Sequence, residues 1–254
     1  MIDKYLKESL PMEDSLNHST FQFSAVSVDI LEDNEYTLVN LVLDFSGSVG
    51  TYFDSLKEMV KMTIETLRDP KAPFAENILF RLITFNGSVY EEHGYLPLIS
   101  VDTDGYDSLS HPVGLTALYD ACLNAQEATE KYGMMLTQQD YTVNAIIIIV
   151  TDGGDNDSKR ASLNDIKSFS DQLRTSESVE SCRTILVACN THIPNAKRDL
   201  SNFNTVVGFD QYIEIENATP SSMAKLAGFV SQSVSMQAQA NGTGVASTSV
   251  DINF

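Results

Sequence analysis

The chain has 254 residues, of which 35 are Asp or Glu and 16 are Lys or Arg, a formal charge of −19. Its 43% hydrophobic share supports a real core and excludes disorder throughout. A pI near 4.4 argues against a nucleic-acid binder, which needs Lys and Arg to neutralise phosphates.

In chain order, residues 1–20 are polar and without period, and read as an N-terminal arm. Residues 21–30 alternate imperfectly and are expected to form a first, added strand. Residues 36–44 (YTLVNLVLD) are nearly continuous in apolar side chains, as a strand covered on both faces should be. After Gly50 the period becomes helical, with Phe53, Leu56, Val60, Ile64 and Leu67 on one side and Pro70 as the stop. Residues 78–85 predict another strand, and 88–95 a return as an antiparallel edge. A helix is expected over about 116–131. Residues 143–151 (VNAIIIIVT) form the most hydrophobic strand and should be central. Helices follow at 162–175, 194–203 and 220–234, alternating with strands at 183–189 and 211–215. Such alternation predicts one α/β domain, Rossmann-like and doubly wound, with a mostly parallel sheet and helices on both faces. The domain spans 21–234; residues 235–254 turn to Ser, Gln, Ala, Gly and Thr and read as a low-complexity tail.

The longest unbroken apolar run, residues 145–150, is too short to span a bilayer. The opening MIDKYLKESLPMED has no apolar stretch of the secretory kind. Cys122, Cys182 and Cys189 form no Cys-x-x-Cys pair, and an odd count leaves at least one thiol unpaired. A cytoplasmic address is therefore expected.

Chemistry concentrates where strands end. Asp44-Phe45-Ser46-Gly47-Ser48 closes the second strand, and open parallel sheets gather ligands outside the carboxyl ends of their strands. Asp152 closes the Ile-rich strand in Thr151-Asp152-Gly153, and Thr116 follows Gly114 at the start of a helix. Two carboxylates and three hydroxyls suit a hard divalent cation such as Mg²⁺, which takes oxygen ligands in octahedral array. Zinc is disfavoured, because the four histidines are scattered and no Cys/His spacing accompanies them.

Asp44-x-Ser46-x-Ser48, Gly114-x-Thr116 and Thr151-Asp152-Gly153, in that order over residues 36–230, resemble the von Willebrand factor A (VWA) domain with its metal-ion-dependent adhesion site. The resemblance implies Mg²⁺ or Mn²⁺ at the top of the sheet. It implies direct ligation by Ser46 and Ser48, and direct or water-mediated ligation by Thr116, Asp44 and Asp152. It further implies a non-enzymatic interaction module in which the ion's last position accepts an Asp or Glu of a partner protein. Among VWA proteins the chain looks like the intracellular bacterial and phage type. Adaptors of that type work beside MoxR-type AAA+ ATPases or kinase and phosphatase systems.

Blander readings stand beside this one. Asp, Ser and Gly after a strand are ordinary turn and cap residues, and Thr116 suits a helix N-cap. Asp120, Asp155 and Asp157 read as supporting or solvated carboxylates. A metal-dependent hydrolase or phosphatase and a metal-free scaffold remain alternatives. Around Ser48, however, the chain lacks the first Gly of Gly-x-Ser-x-Gly, and it has no P-loop. The charge of −19 does not forbid an acidic partner. Surface charges are screened beyond about 8 Å, whereas a coordinating oxygen lies about 2 Å from its ion.

Overall fold

Two strands carry the molecule: β3 (Glu35–Asp44) and β6 (Thr142–Thr151), each buried at every position after its first. Both are rich in apolar residues on either face, and a strand with no polar face must be covered on both sides. They pair in parallel at the centre of an eight-stranded sheet, in a computed structural model that describes residues 9–11, 20–72, 74–243, 247–252 and 254. The remaining strands are β1 (Ser9–Pro11), β2 (Ser24–Val26), β4 (Ile78–Phe85), β5 (Val89–Pro97), β7 (Ser181–Ala188) and β8 (Gln211–Glu214). Their order is β1-β2-β5-β4-β3-β6-β7-β8. The run from β4 to β8 is parallel, and β5 returns antiparallel to β4.

Helices α1 (Phe53–Leu67), α2 (Leu118–Thr137), α3 (Leu163–Thr175), α4 (Pro194–Val207) and α5 (Pro220–Gln239) connect the strands. α1 packs on α5, while α3 packs between α2 and α4. Local signals set their ends. Ser162 and Asp165 form a capping box for α3, and Thr219 with Ser222 does the same for α5 behind Pro220. Gly208 closes α4 at φ +73°, a left-handed conformation that costs glycine nothing. This is the doubly wound α/β architecture expected from the alternation.

The edges differ from expectation. Of residues 21–30 only Ser24–Val26 pair as a strand; the chain then turns through a 3₁₀ segment, Val28–Ile30. Val26 and Val28 are both buried, so a turn satisfies the same apolar residues that suggested a longer strand. Within the polar arm, Ser9–Pro11 pairs antiparallel with β2; the rest of 1–19 lies outside the described residues.

What holds this flank is polar. Glu91 accepts from Ser24 N at 2.9 Å and Ser24 Oγ at 2.7 Å, while Arg81 Nε donates to its other oxygen at 2.7 Å. Arg81 is fully buried and also donates to Asn40 Oδ1 and Asn124 Oδ1, so its charge is paired and each of its three nitrogens has an acceptor. Gly94 sits under this crossing: a Cβ there would lie 2.0 Å from Ser24 O. Glu127 accepts from the backbone of Thr20 and Phe21 in the same way.

At the far end α5 runs on to Gln239, and described residues of the tail, whose only charged side chain is Asp251, pack against the domain. Gln237 is fully buried, donates to Ser181 Oγ and accepts from Ser247 N. Arg183 donates to Ser247 O, to Ser249 Oγ at 2.7 Å and to Gln211 Oε1 at 3.1 Å. Val250 is 5% exposed, within the core. The buried polar groups of Gln237 and Arg183 are accommodated by bonds to Ser181, Ser247 and Ser249.

Removing residues 247–254 uncovers the Val250 site and leaves the buried Arg183 side chain without two acceptors. A loss of about 2–4 kcal/mol is expected from urea unfolding followed by circular dichroism. His93 supplies a second test. Its ring nitrogens face Gly94 O at 2.9 Å and Tyr106 OH at 2.7 Å. Burial pushes its pKa down to about 4, with Arg81 acting in the same direction and Gly94 O and Glu91 against it. Because the fold holds this imidazole neutral, stability should fall as pH drops from about 6.5 towards 4. The fall should flatten in His93→Gln, measured by thermal melts across that range.

Candidate metal centre

β3 and β6 end together. Leu43 pairs with Val150, so Asp44 and Thr151 stand side by side at the carboxyl edge of the central strands. Thr151 Oγ1 donates to Asp44 Oδ2 at 2.6 Å. The other carboxylate oxygen, Oδ1, accepts from Ser46 N at 2.7 Å, which curls the loop back over the strand end. Ser46 Oγ lies 3.1 Å from Ser48 Oγ, and Ser48 Oγ donates to Asp152 Oδ1 at 2.6 Å. Residues 104 positions apart thus share a hydrogen bond.

The third loop is pinned onto these two by its backbone. Val113 N donates to Phe45 O at 3.0 Å, and Gly47 N donates to Gly114 O at 3.2 Å. Gly114 takes φ +83°, the left-handed turn that presents its carbonyl to the serine loop. Thr116 N donates to Asn156 Oδ1 at 2.8 Å, while Thr116 O accepts from Asn156 N and Asp157 N. A Cβ built on Gly153 would lie 4.0 Å from Thr116 Oγ1, so the Thr116 hydroxyl is beside the residue after Asp152. Asp44, Ser46, Thr116 and Asp152 are buried, and Ser48 is exposed at the rim.

The cap and turn readings account for only part of this. Ser46 stands at the N-cap of a 3₁₀ segment, Gly47–Thr51, but its side chain makes no capping bond. Thr116 is not the N-cap of α2; that position is Ala117. The first turn of α2 is satisfied from the loop after β6, where Asp155 Oδ1 accepts from Tyr119 N and Ser158 Oγ from Asp120 N. The Asp120 carboxylate accepts from the backbone of Lys159, Arg160 and Ala161. It braces that loop from outside the candidate ligand set.

Electrostatically the site is unbalanced. Burial pushes the Asp44 carboxyl up to about 6; hydrogen bonds from Ser46 and Thr151 oppose the rise and the charge of Asp152 adds to it. No Lys or Arg pairs with Asp44 or Asp152 among the described ion pairs. No group of three or more His, Cys, Asp or Glu side chains is placed to hold a metal among the described residues. The donors here are two carboxylates and three hydroxyls, a set that fits a hard divalent cation, which would bring the positive charge the site lacks.

Two contributors went unassigned in the sequence. Thr151 lies within the quoted motif, but its bond to Asp44 depends on the β3–β6 register. Tyr52 is buried below the loop; burial first, then the neighbouring Cys189, Asp152 and Asp44, raise its pKa well above the ordinary value and keep it a donor facing Asp152. No spacing in the sequence marks it.

No family model and no curated protein sequence matches the chain. Solved structures do. The PilB minor pilin from Streptococcus sanguinis is 15% identical, with a TM-score of 0.52 over 83% of this chain and 64% of that one. Proximal thread matrix protein 1 from the mussel byssus, in a structure described as having a zinc occupied MIDAS motif, is 16% identical, with a TM-score of 0.51 over 82% and 47%. The pilus adhesin SpaC from Lactobacillus rhamnosus GG is 11% identical, with a TM-score of 0.54 over 81% and 30%. This chain therefore spans less than two thirds of each of these proteins. At such identities the likeness is one of fold: a doubly wound α/β domain of VWA-like architecture.

Proposed function

We propose that this chain is a non-catalytic interaction module in which a divalent cation, Mg²⁺ or Mn²⁺, held by Asp44, Ser46, Ser48, Thr116 and Asp152, accepts a carboxylate from a partner protein. The observation that carries it is the run of short bonds from Asp44 through Ser46 and Ser48 to Asp152, ending in two buried carboxylates with no basic partner. When bound, the cation supplies an electrophilic position for an outside oxygen. Thr151 and the Ser46 amide orient Asp44, Tyr52 faces Asp152, and the pinned Gly114 loop brings Thr116 to the same edge. The Ser48 hydroxyl donates to Asp152, a carboxylate that is itself a candidate ligand, so a bound cation would engage both groups. The zinc-bearing motif named for the byssus protein supports the general reading. The free thiols Cys122, Cys182 and Cys189 suit a reducing compartment, and no helix among the described residues is long and apolar enough to cross a membrane.

Titration calorimetry with Mn²⁺ and Mg²⁺ tests the site. Cation at about a hundredfold over its Kd should stabilise the fold by about 2.7 kcal/mol, and Asp44→Ala should remove that gain. A chain that neither binds nor is stabilised by either ion is a metal-free scaffold. Hydrolysis of phosphate or acyl esters that depends on Mg²⁺ and on Ser48 would replace the adaptor reading by an enzymatic one.

Asp44→Asn gives a sharper contrast. It keeps the shape and the contact with Thr151 while removing a buried charge that has no counter-ion. In the metal-free protein the variant should therefore be more stable than the wild type by about 1–3 kcal/mol. With saturating Mn²⁺ the order should reverse, read from melting temperatures with and without EDTA.

A further inference from the structure

Only seven large hydrophobic side chains are exposed among the described residues, and two of them, Val113 at 60% and Leu115 at 53%, flank Gly114. Isolated exposed aliphatics are ordinary on a protein surface. These two differ because their backbone is not free to turn them inward. Val113 N is bonded to Phe45 O, Gly114 O to Gly47 N, Thr116 N to Asn156 Oδ1 and Ala117 N to Asn86 O. His111 packs against Phe53 with ring centroids 5.5 Å apart and planes tilted by 49°, which anchors the start of the same loop. The segment is thus tied down on both sides of Gly114, with one aliphatic side chain held outward at each side. Both stand next to the serine loop that carries Ser46 and Ser48.

We infer that Val113 and Leu115 form an apolar rim that selects partners whose metal-seeking Asp or Glu is flanked by aliphatic residues. The inference rests on the metal-bridge reading and adds a specificity to it. Its physical ground is the charge. A chain at −19 gives an acidic ligand no long-range attraction, so contact terms must supply the affinity. On the loop bonded to the serine loop, the side chains that gain by leaving water are Val113 and Leu115. Because the Gly114 loop is bonded to the serine loop at Phe45 and Gly47, a partner segment whose carboxylate lies over Ser46 and Ser48 brings its adjacent side chains close to Val113 and Leu115. A carboxylate flanked by polar residues would leave both in water.

The test uses two fluorescently labelled pentapeptides, Gly-Leu-Asp-Leu-Gly and Gly-Ser-Asp-Ser-Gly, with the full chain in Mn²⁺ and in EDTA, read by anisotropy. Mn²⁺ affinity is measured separately by calorimetry on the wild type and on the double variant Val113→Ser/Leu115→Ser. The wild type should bind the Leu peptide at least about tenfold more tightly than the Ser peptide, in Mn²⁺ alone. The double variant should bind Mn²⁺ as the wild type does and lose that preference. Equal affinity for the two peptides in a wild type that binds Mn²⁺ overturns the rim and leaves the metal bridge standing, as does a preference that survives in the double variant. Failure to bind Mn²⁺ overturns both. A Leu preference that persists in EDTA overturns the rim, since it would place the apolar contact away from the metal.

Discussion

Asp44 ends a strand whose side chains are sequestered on both faces, and its carboxylate is therefore held out of water beside a second one, Asp152. A charge in that position needs either a proton or a cation. The surroundings offer hydroxyls and one amide but no Lys or Arg, and hydroxyls orient a carboxylate without neutralising it. Much of the architecture at this edge follows from that constraint. The serine loop curls back to give Asp44 an amide donor, Thr151 turns its hydroxyl to it from the next strand, and Ser48 links the pair to Asp152. The same features keep every candidate ligand an oxygen, which sets the class of ion the edge can accept.

Rigidity around the site comes from backbone bonds between loops more than from the loops' own sequence. The segment preceding α2 gives up its cap to side chains from the loop after β6, and in return Thr116 O accepts two amides from that loop. Exchanges of this kind fix the loops by main-chain bonds, so that the site hydroxyls need not serve as helix caps. They also explain why Val113 and Leu115 stay outward: turning either inward would break bonds that hold Thr116 in place.

Away from the site, the two flanks of the sheet are closed by polar contacts. Arg81 with Glu91 on one side and Arg183 with the Ser247–Val250 segment on the other bind extra chain to the strands they sit beside. Exposed strand edges invite pairing with other chains, and covering them is a common defence. The structural relatives are named as pilus, adhesin and byssus-matrix proteins, and this chain covers only part of each. A shared scaffold with such varied contexts is the ordinary condition of a fold whose work is done by loops at one end.

Hydrophobic continuity in YTLVNLVLD and VNAIIIIVT, and helical periods such as Phe53 to Leu67, determined the central strands, the helices and hence the α/β class, because burial on two faces leaves no room for another pattern. The spacing of Asp44, Ser46 and Ser48 was likewise legible, since a strand end followed by a loop puts all three at one edge. The β3–β6 register that brings Thr151 to Asp44, the placement of Tyr52 under Asp152, and the transfer of the α2 cap away from Thr116 belong to the tertiary structure alone. So do the packing of Ser247–Val250 beside Arg183, in a tail that reads as low-complexity, and the short β2 where alternation suggested ten residues. Each depends on contacts between segments distant along the chain. A single sequence records which side chains prefer to leave water, but not which partner they meet when they do.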